Sequence, residues 1–158
     1  MIRLGVPADL AAVTGVYRGA SLFNARDRDQ LLAHPEYLVM GPTGLSDGRT
    51  YVAEENGSVI GFATWAEIDG AAGPGRAAGL TRAAELEDLF VDPPWMRRGN
   101  ATALVNRIAD VLRAQGTERL ELTASPDALG FYRAVGFIEG GVTETAFGSA
   151  PRGLLTLQ

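Results

Sequence analysis

The sequence has no cysteine, no lysine and a single histidine. Without cysteine there is no thiol nucleophile, no disulfide and no thiolate metal site. Without lysine there is no Schiff-base amine and no Walker-type phosphate lysine. The one histidine, His34, cannot build a histidine metal cluster; beside Pro35 it reads as a polar boundary residue. All 14 basic residues are arginine and the net charge is -5, which argues against a nucleic-acid-binding surface. There is no apolar run long enough to span a membrane, and MIRLGVPADL has no signal-peptide layout. The expectation is a cytoplasmic protein without nucleic-acid or membrane partners and without a bound metal.

What is present is an ordinary globular composition, 46% hydrophobic and 21% charged over 158 residues. That is enough for one domain with a sizeable core, taken here as residues 1–158. The chain is organised around Glu85 to Gln115. ELEDLFV reads as a strand, DPPWMRRGNA as a loop and TALVNRIADVLRAQ as a helix. Leu104, Ile108, Val111 and Leu112 recur at helical spacing, and Gly116 suits the position after the helix end. A strand that enters a helix N-terminus through such a loop can hold phosphate, because the first helical amides lack partners and the helix dipole favours an anion. Arg97 and Arg98 add charge, Gly99 admits a close ligand, and Ala101 keeps the first turn small.

Around this stretch, Ile2 to Leu4 reads as a short strand. Pro7 and Asp9 open a helix with Leu10, Val13, Tyr17 and Ala20 on one face. Asp27 to Leu32 reads as a second helix, and Gly41 to Gly48 as a turn-rich loop. Tyr51 to Glu54 and Val59 to Trp65 read as strands joined at Asn56-Gly57, a hairpin signal. Asp69 to Gly79, rich in glycine and alanine, reads as a mobile loop that could cover a substrate. Leu86 has the opposite strand parity to Leu89 and Val91. Either a bulge near Glu87 or Asp88 restores one apolar face, or the strand is covered on both faces. Leu120, Leu122 and Ala124 alternate as a strand. Ser125 and Pro126 start a helix through DALGFYRAV that stops at Gly136. Strand segments follow at Phe137 and Ile138, Thr143 to Phe147 and Leu154 to Leu157. This order predicts an α/β fold, a mixed sheet with helices on both faces.

Two segments resemble the GNAT superfamily of acyl-CoA-dependent N-acyltransferases. LEDLFVDPPWMRRGNATAL resembles its strand, pyrophosphate loop and helix, whose pattern is Q/R-x-x-G-x-G/A. Gly99 and Ala101 fit, and Met96 stands where Gln or Arg is usual. ASPDALGFYRAVGF resembles the signature N-x-x-A-x-x-F-Y-x-x-x-G-F. Ala128, Phe131, Tyr132, Gly136 and Phe137 fit, and Ser125 replaces Asn. The resemblance implies a mostly antiparallel central sheet of six to seven strands. It implies an N-acetyltransferase that moves an acetyl group from acetyl-CoA to an amine of a small molecule or a protein by direct attack. A homodimer is plausible on the same ground.

It further implies that Leu89, Phe90, Val91, Arg97, Arg98, Gly99, Asn100, Ala101, Thr102, Ser125, Phe131 and Tyr132 hold the cofactor. Tyr132 would act as general acid toward the leaving thiolate. An alkyl ammonium has a pKa of about 10.4, so a free amine at neutral pH costs roughly 4 kcal/mol, which a base or desolvation must offset. The base position maps nearest to Glu85, with Glu87 as the second candidate, and Asp88 would add to attraction for a cationic substrate. The alternative is a non-catalytic acyl-CoA-binding module on the same fold. A dinucleotide-binding domain is disfavoured because MRRGNA lacks the G-x-G-x-x-G glycines.

Overall fold

The computed structural model describes residues 1–68, 82–145 and 148–157. The chain divides into two compact units, Met1–Thr64 with Asp88–Arg107, and Trp65–Glu87 with Ile108–Gln158. The strands are β1 (Ile2–Leu4), β2 (Thr50–Glu55), β3 (Ser58–Glu67), β4 (Ala83–Val91), β5 (Arg119–Thr123), β6 (Ile138–Thr145) and β7 (Gly148–Thr156). They form one seven-stranded sheet in the order β1-β2-β3-β4-β5-β7-β6. Among the described ladders only β4–β5 is parallel. The sheet is therefore mixed and mostly antiparallel, as expected. Among the described residues no helix is long and apolar enough to cross a membrane.

The first unit packs α1 (Leu10–Phe23) against its strands. A 3₁₀ turn, Pro7–Asp9, leads into that helix. The Asp9 carboxylate accepts the Val6 N–H at 2.9 Å and pairs with both Nη atoms of Arg3 at 2.9 and 3.0 Å. The core cluster joins Val13 and Val16 of the helix to Leu45, Val52 and Phe62, with Leu10, Tyr17 and Phe90 packed against it. Asn56 and Gly57 both have positive φ, 51° and 80°, so the β2–β3 hairpin turns through the left-handed pair that matches strand twist. A second helix spans Arg28–Ala33 (α2), and Pro35 opens a further 3₁₀ turn, Pro35–Leu38. The expected loop at Gly41 to Gly48 contains one helical turn, Thr43–Ser46 (α3), because Leu45 is buried there.

The central helix, α4, spans Asn100–Ala114 and starts two residues before the expected Thr102. Leu104, Val105, Ile108, Ala109 and Leu112 are its buried residues, each at most 5% exposed. Val111 is only half-buried. The stripe runs through i+1 and i+4 neighbours, wider than the spacing of four leucine-like residues suggested. At the C-terminus Thr117 N–H bonds Leu112 carbonyl at 2.9 Å and Gly116 N–H bonds Arg113 carbonyl at 3.1 Å, a Schellman pair that satisfies two orphan carbonyls.

The second unit holds the start of β4, then β5, β7 and β6, with α5 (Leu129–Ala134) preceded by a 3₁₀ turn, Pro126–Ala128. Ser125 stands at the cap position but its side chain makes no cap hydrogen bond. The three tail segments are two long strands, because β6 continues through Gly140 and Gly141 with a register shift between Glu139 and Val142. Residues 146 and 147, in the expected segment Thr143 to Phe147, lie outside the described residues, as does the expected loop Asp69 to Gly79.

β4 carries one residue more than its neighbour β3. Ile68 N–H bonds the Ala83 carbonyl at 3.0 Å, and Asp92 N–H bonds the Ile60 carbonyl at 2.7 Å. Between those two bonds β3 advances eight residues and β4 advances nine. A bulge in β4 accounts for the extra residue. The strand is also covered on both faces, since adjacent Ala83 and Ala84 are both buried, at 5% and 0% exposure, and Leu86 and Val91, of opposite parity, are buried at 4% and 7%. Gly61 lies against the far end of this strand. A Cβ there would sit 3.1 Å from the Phe90 carbonyl oxygen and 3.3 Å from Val91 Cγ2. Gly61→Ala should therefore destabilise the protein by about 1–3 kcal/mol in urea unfolding; unchanged stability would show that β4 yields at no cost.

Candidate active site

In the first unit, β4 ends at Val91 and the chain turns through a 3₁₀ segment, Pro93–Trp95, into α4. Arg97 adopts φ 61° and Gly99 φ 85°. A left-handed arginine is costly by roughly 1–2 kcal/mol, and such strain concentrates where a loop is shaped for a ligand. The loop is braced by the Trp95 side: the Arg98 guanidinium lies 5.0 Å from the Trp95 ring centroid, and Asn100 Nδ2 donates to the Trp95 carbonyl at 3.2 Å. The first helical bond runs from Ala103 N–H to the Gly99 carbonyl at 3.0 Å. The amides of Asn100, Ala101 and Thr102 therefore precede the intrahelical ladder. Arg97, Arg98 and Gly99 are exposed, and among the described residues nothing lies within 4 Å of a Cβ built on Gly99. Two arginines, a helix N-terminus and an open glycine together form an anion cradle.

The same unit holds Leu89 and Phe90, both partly buried, and buried Val91. Phe90 is fixed by Phe62 and by the edge of Tyr17, whose centroids lie 5.6 and 4.9 Å away. Tyr17 donates its hydroxyl proton to the Tyr37 carbonyl at 2.5 Å. Burial, and then the Asp88 carboxylate, push the Tyr17 phenol above its usual range. Tyr17 was legible in the sequence only as a helix-face residue.

In the second unit the β4–β5 ladder runs from Ala83↔Arg119 to Leu86↔Leu122, while β4 itself continues to Val91. Glu85 lies at the third rung, opposite Glu121. Both Glu85 oxygens accept from Arg152 of β7, at 2.7 Å from Nη1 and 2.9 Å from Nη2. Arg152 also donates to Glu121 at 3.1 Å and to Thr123 Oγ1 at 2.8 Å. Arg119 donates to the other Glu121 oxygen at 2.7 Å. The hydrogen bond that Arg152 donates to Glu85 is the main reason its guanidinium is held above its ordinary value, with Glu121 adding to it. Glu87, two residues on, is exposed. Arg152 escaped sequence reasoning, since no local pattern links position 152 to position 85.

Tyr132 lies on α5 in the same unit. Its ring meets Phe131 and Phe137 edge-on, at centroid distances of 5.1 and 5.5 Å. Burial pushes its phenol up to about 12. Phe131 is partly buried and Ser125 exposed. The expected site residues thus fall into two sets: Leu89, Phe90, Val91 and Arg97 to Thr102 in the first unit, and Glu85, Glu87, Ser125, Phe131 and Tyr132 in the second.

A mixed, mostly antiparallel seven-stranded sheet with helices defines an α/β protein. The family can be stated more closely. The sequence model of the acetyltransferase (GNAT) family matches residues 19–137, and the chain belongs to that family. It is 30% identical over 97 residues to an uncharacterized N-acetyltransferase of Methanocaldococcus jannaschii, covering 56% of this chain and 38% of that protein. It is 31% identical over 80 residues to the chloroplastic serotonin N-acetyltransferase 2 of Oryza sativa subsp. japonica, covering 46% of this chain and 40% of that protein. The chain therefore spans about two fifths of the length of these curated relatives. In structure it is similar to the PaiA N-acetyltransferase of Thermoplasma acidophilum in complex with coenzyme A, with a TM-score of 0.71, 18% identity, and coverage of 99% of this chain and 98% of that one. At that identity the likeness is one of fold.

The raised Tyr132 value fixes the sign of an alkaline effect. A phenol that ionises near 10 when unfolded and near 12 when folded stabilises the folded state fully below pH 10. That contribution is lost as pH rises from about 10 to about 12. Tyr132→Phe should shrink the fall in stability across this window, measured by urea unfolding at pH 9 and pH 11. An identical fall in both proteins would mean that the hydroxyl is solvated.

Proposed function

We propose that this protein is an N-acetyltransferase that moves the acetyl group of acetyl-CoA to an amine of a small molecule or a protein. The observation that carries the reading is the cradle at α4, with Arg97 left-handed, Gly99 open and three early helical amides, in a chain of the GNAT family. Arg97, Arg98 and the amides from Gly99 to Thr102 hold the pyrophosphate. The backbone of Leu89 to Val91 pairs with the pantetheine amides, and Ser125 and Phe131 support the same arm. Met96 offers no charge to the phosphates, so the backbone and the two arginines supply the contact. The chain acts as one domain in the cytoplasm. The exposed apolar residues Ile138 and Val142 on the edge strand β6 support pairing of two copies.

Transfer needs a free amine, a stabilised oxyanion and a stabilised thiolate. A carboxylate of β4, from Glu85 or Glu87, assists the amine, and a backbone amide of Leu89 to Val91 receives the oxyanion. Tyr132 serves the leaving sulfur. A phenol near 12 lies about 3.5 units above a thiol of about 8.5, so full proton transfer would be uphill by roughly 5 kcal/mol. Tyr132 therefore acts chiefly as a hydrogen-bond donor to the thiolate. The second reading, a non-catalytic acyl-CoA-binding module, is favoured by one observation: both oxygens of Glu85 are taken by Arg152.

Calorimetric titration with acetyl-CoA, desulfo-CoA and NAD tests the cofactor. Micromolar-range acetyl-CoA binding without NAD binding is expected, and Arg98→Ala should weaken it by about tenfold. No acetyl-CoA binding would overturn the reading. Tyr132→Phe should lower turnover, followed by thiol release with an amine panel, by about 10²-fold while acetyl-CoA affinity is kept. Wild-type turnover in that variant would remove Tyr132 from the chemistry.

A further inference from the structure

Arg98 is a placed cation whose donors are unspent. Elsewhere in the first unit Arg3 and Arg28 donate to carboxylate or carbonyl oxygens of the protein. Among the described residues no protein group accepts a hydrogen bond from Arg98. Its contact is the Trp95 ring, with 5.0 Å from guanidinium carbon to ring centroid. A guanidinium that lies over a ring keeps its N–H groups at its edge, where a phosphate can take two of them. Trp95 is itself fixed. Its N–H donates to the Asp92 carbonyl at 2.8 Å, and its carbonyl accepts from Asn100 Nδ2 at 3.2 Å. Asn100 opens α4, so the ring is tied to the helix end that forms the cradle. Arg97 is exposed and is set by its left-handed backbone, φ 61°, instead of by a ring. An exposed arginine that is ordered only on binding gives up rotamer freedom at that moment, and one already stacked gives up less.

We propose that Trp95 is a positioning residue for the cofactor: stacked against Arg98 and tied by Asn100, it pre-orders that guanidinium to grip a phosphate group of CoA. The proposal rests on the acetyl-transfer reading above and deepens it. Trp95 acts through Arg98 and does not touch the reacting atoms. The Asn100 side chain spends a donor on the Trp95 carbonyl, so it serves the cradle by holding the ring. The two arginines of the loop are then unequal. What Arg98 contributes to affinity depends on the ring beside it, and what Arg97 contributes does not.

The test is calorimetric titration of acetyl-CoA into the wild type, Trp95→Leu, Trp95→Phe, Arg98→Lys, Arg98→Ala and Arg97→Ala, and into Trp95→Leu combined with each alanine variant. A urea midpoint is measured for every protein. Trp95→Leu should weaken binding by about fivefold, the size of an exposed cation–π contact, while Trp95→Phe, which keeps a ring, stays within about twofold of the wild type. Arg98→Lys keeps the charge but has no planar face to stack, so it should lose about as much as Trp95→Leu. In the Arg98→Ala background Trp95→Leu should cost nothing further, and in the Arg97→Ala background it should cost the full amount, about fivefold. A ring that only props up the turn would lower the urea midpoint and weaken binding whether or not Arg98 is present. An equal loss in the Arg98→Ala background therefore overturns the proposal, as does wild-type affinity in Trp95→Leu or in Arg98→Lys. The Arg98→Lys arm leaves Trp95 in place and decides the matter if Trp95→Leu does not fold. A wild-type protein that binds no acetyl-CoA would fail the transferase reading and this proposal with it, whereas binding that is indifferent to Trp95 fails the proposal alone.

Discussion

Backbone hydrogen bonding governs this structure through one strand. β4 is paired by β5 only as far as Leu86, yet it continues to Val91. Backbone donors and acceptors are strong obligatory groups, and a strand edge that loses its neighbour must find another partner in water or in a ligand. The residues that follow are arranged around that requirement. Gly61 lets the neighbouring strand come close to Phe90 and Val91, and the chain then enters the arginine loop and α4. The ligand in the proposed reaction would thus take the place that a further strand fills in an uninterrupted sheet.

The extra residue of β4 serves the same end. A regular strand fixes side-chain parity over its whole length. Here β4 carries one additional residue between Ala83 and Asp92, and its residues of both parities, Ala83, Ala84, Leu86 and Val91, are buried. Each unit's core can then be filled from the same strand, with Phe90 in the first and Leu86 in the second. The strained Arg97 shows the complementary case, in which local backbone energy is spent on the shape of a loop rather than on packing.

Much of this was legible in the sequence because the signals were local. The period of Leu104, Ile108 and Leu112, the Asn56-Gly57 turn and the RRGNA loop each declare themselves within a few residues. The parity conflict at Leu86 left two readings of β4, a bulge or cover on both faces, and the structure carries both features. The turn at Thr43–Ser46 was hidden among glycines and prolines, since its evidence is the burial of Leu45. Continuity of β6 through Gly140 and Gly141 was hidden too, because a glycine pair reads as a break unless the partner strand is known. Arg152 could not have been found locally. Its carboxylate partners lie 67 and 31 residues away, and the pairing of β4 with β5 and of β5 with β7 brings them to it.

That separation has a kinetic meaning. Glu85 and Glu121 occupy facing positions on neighbouring strands, so during assembly two carboxylates approach each other with Arg119 of β5, itself paired to Glu121, to offset them. Closing the span from position 85 to position 152 requires β7 to dock, and contacts of such long sequence separation form late. A chain in which β7 has not yet docked would carry this acidic pair with one arginine beside it instead of two. Glu85 reaches its paired arrangement only when β7 is in place, so this part of the sheet is settled with completion of the fold rather than ahead of it.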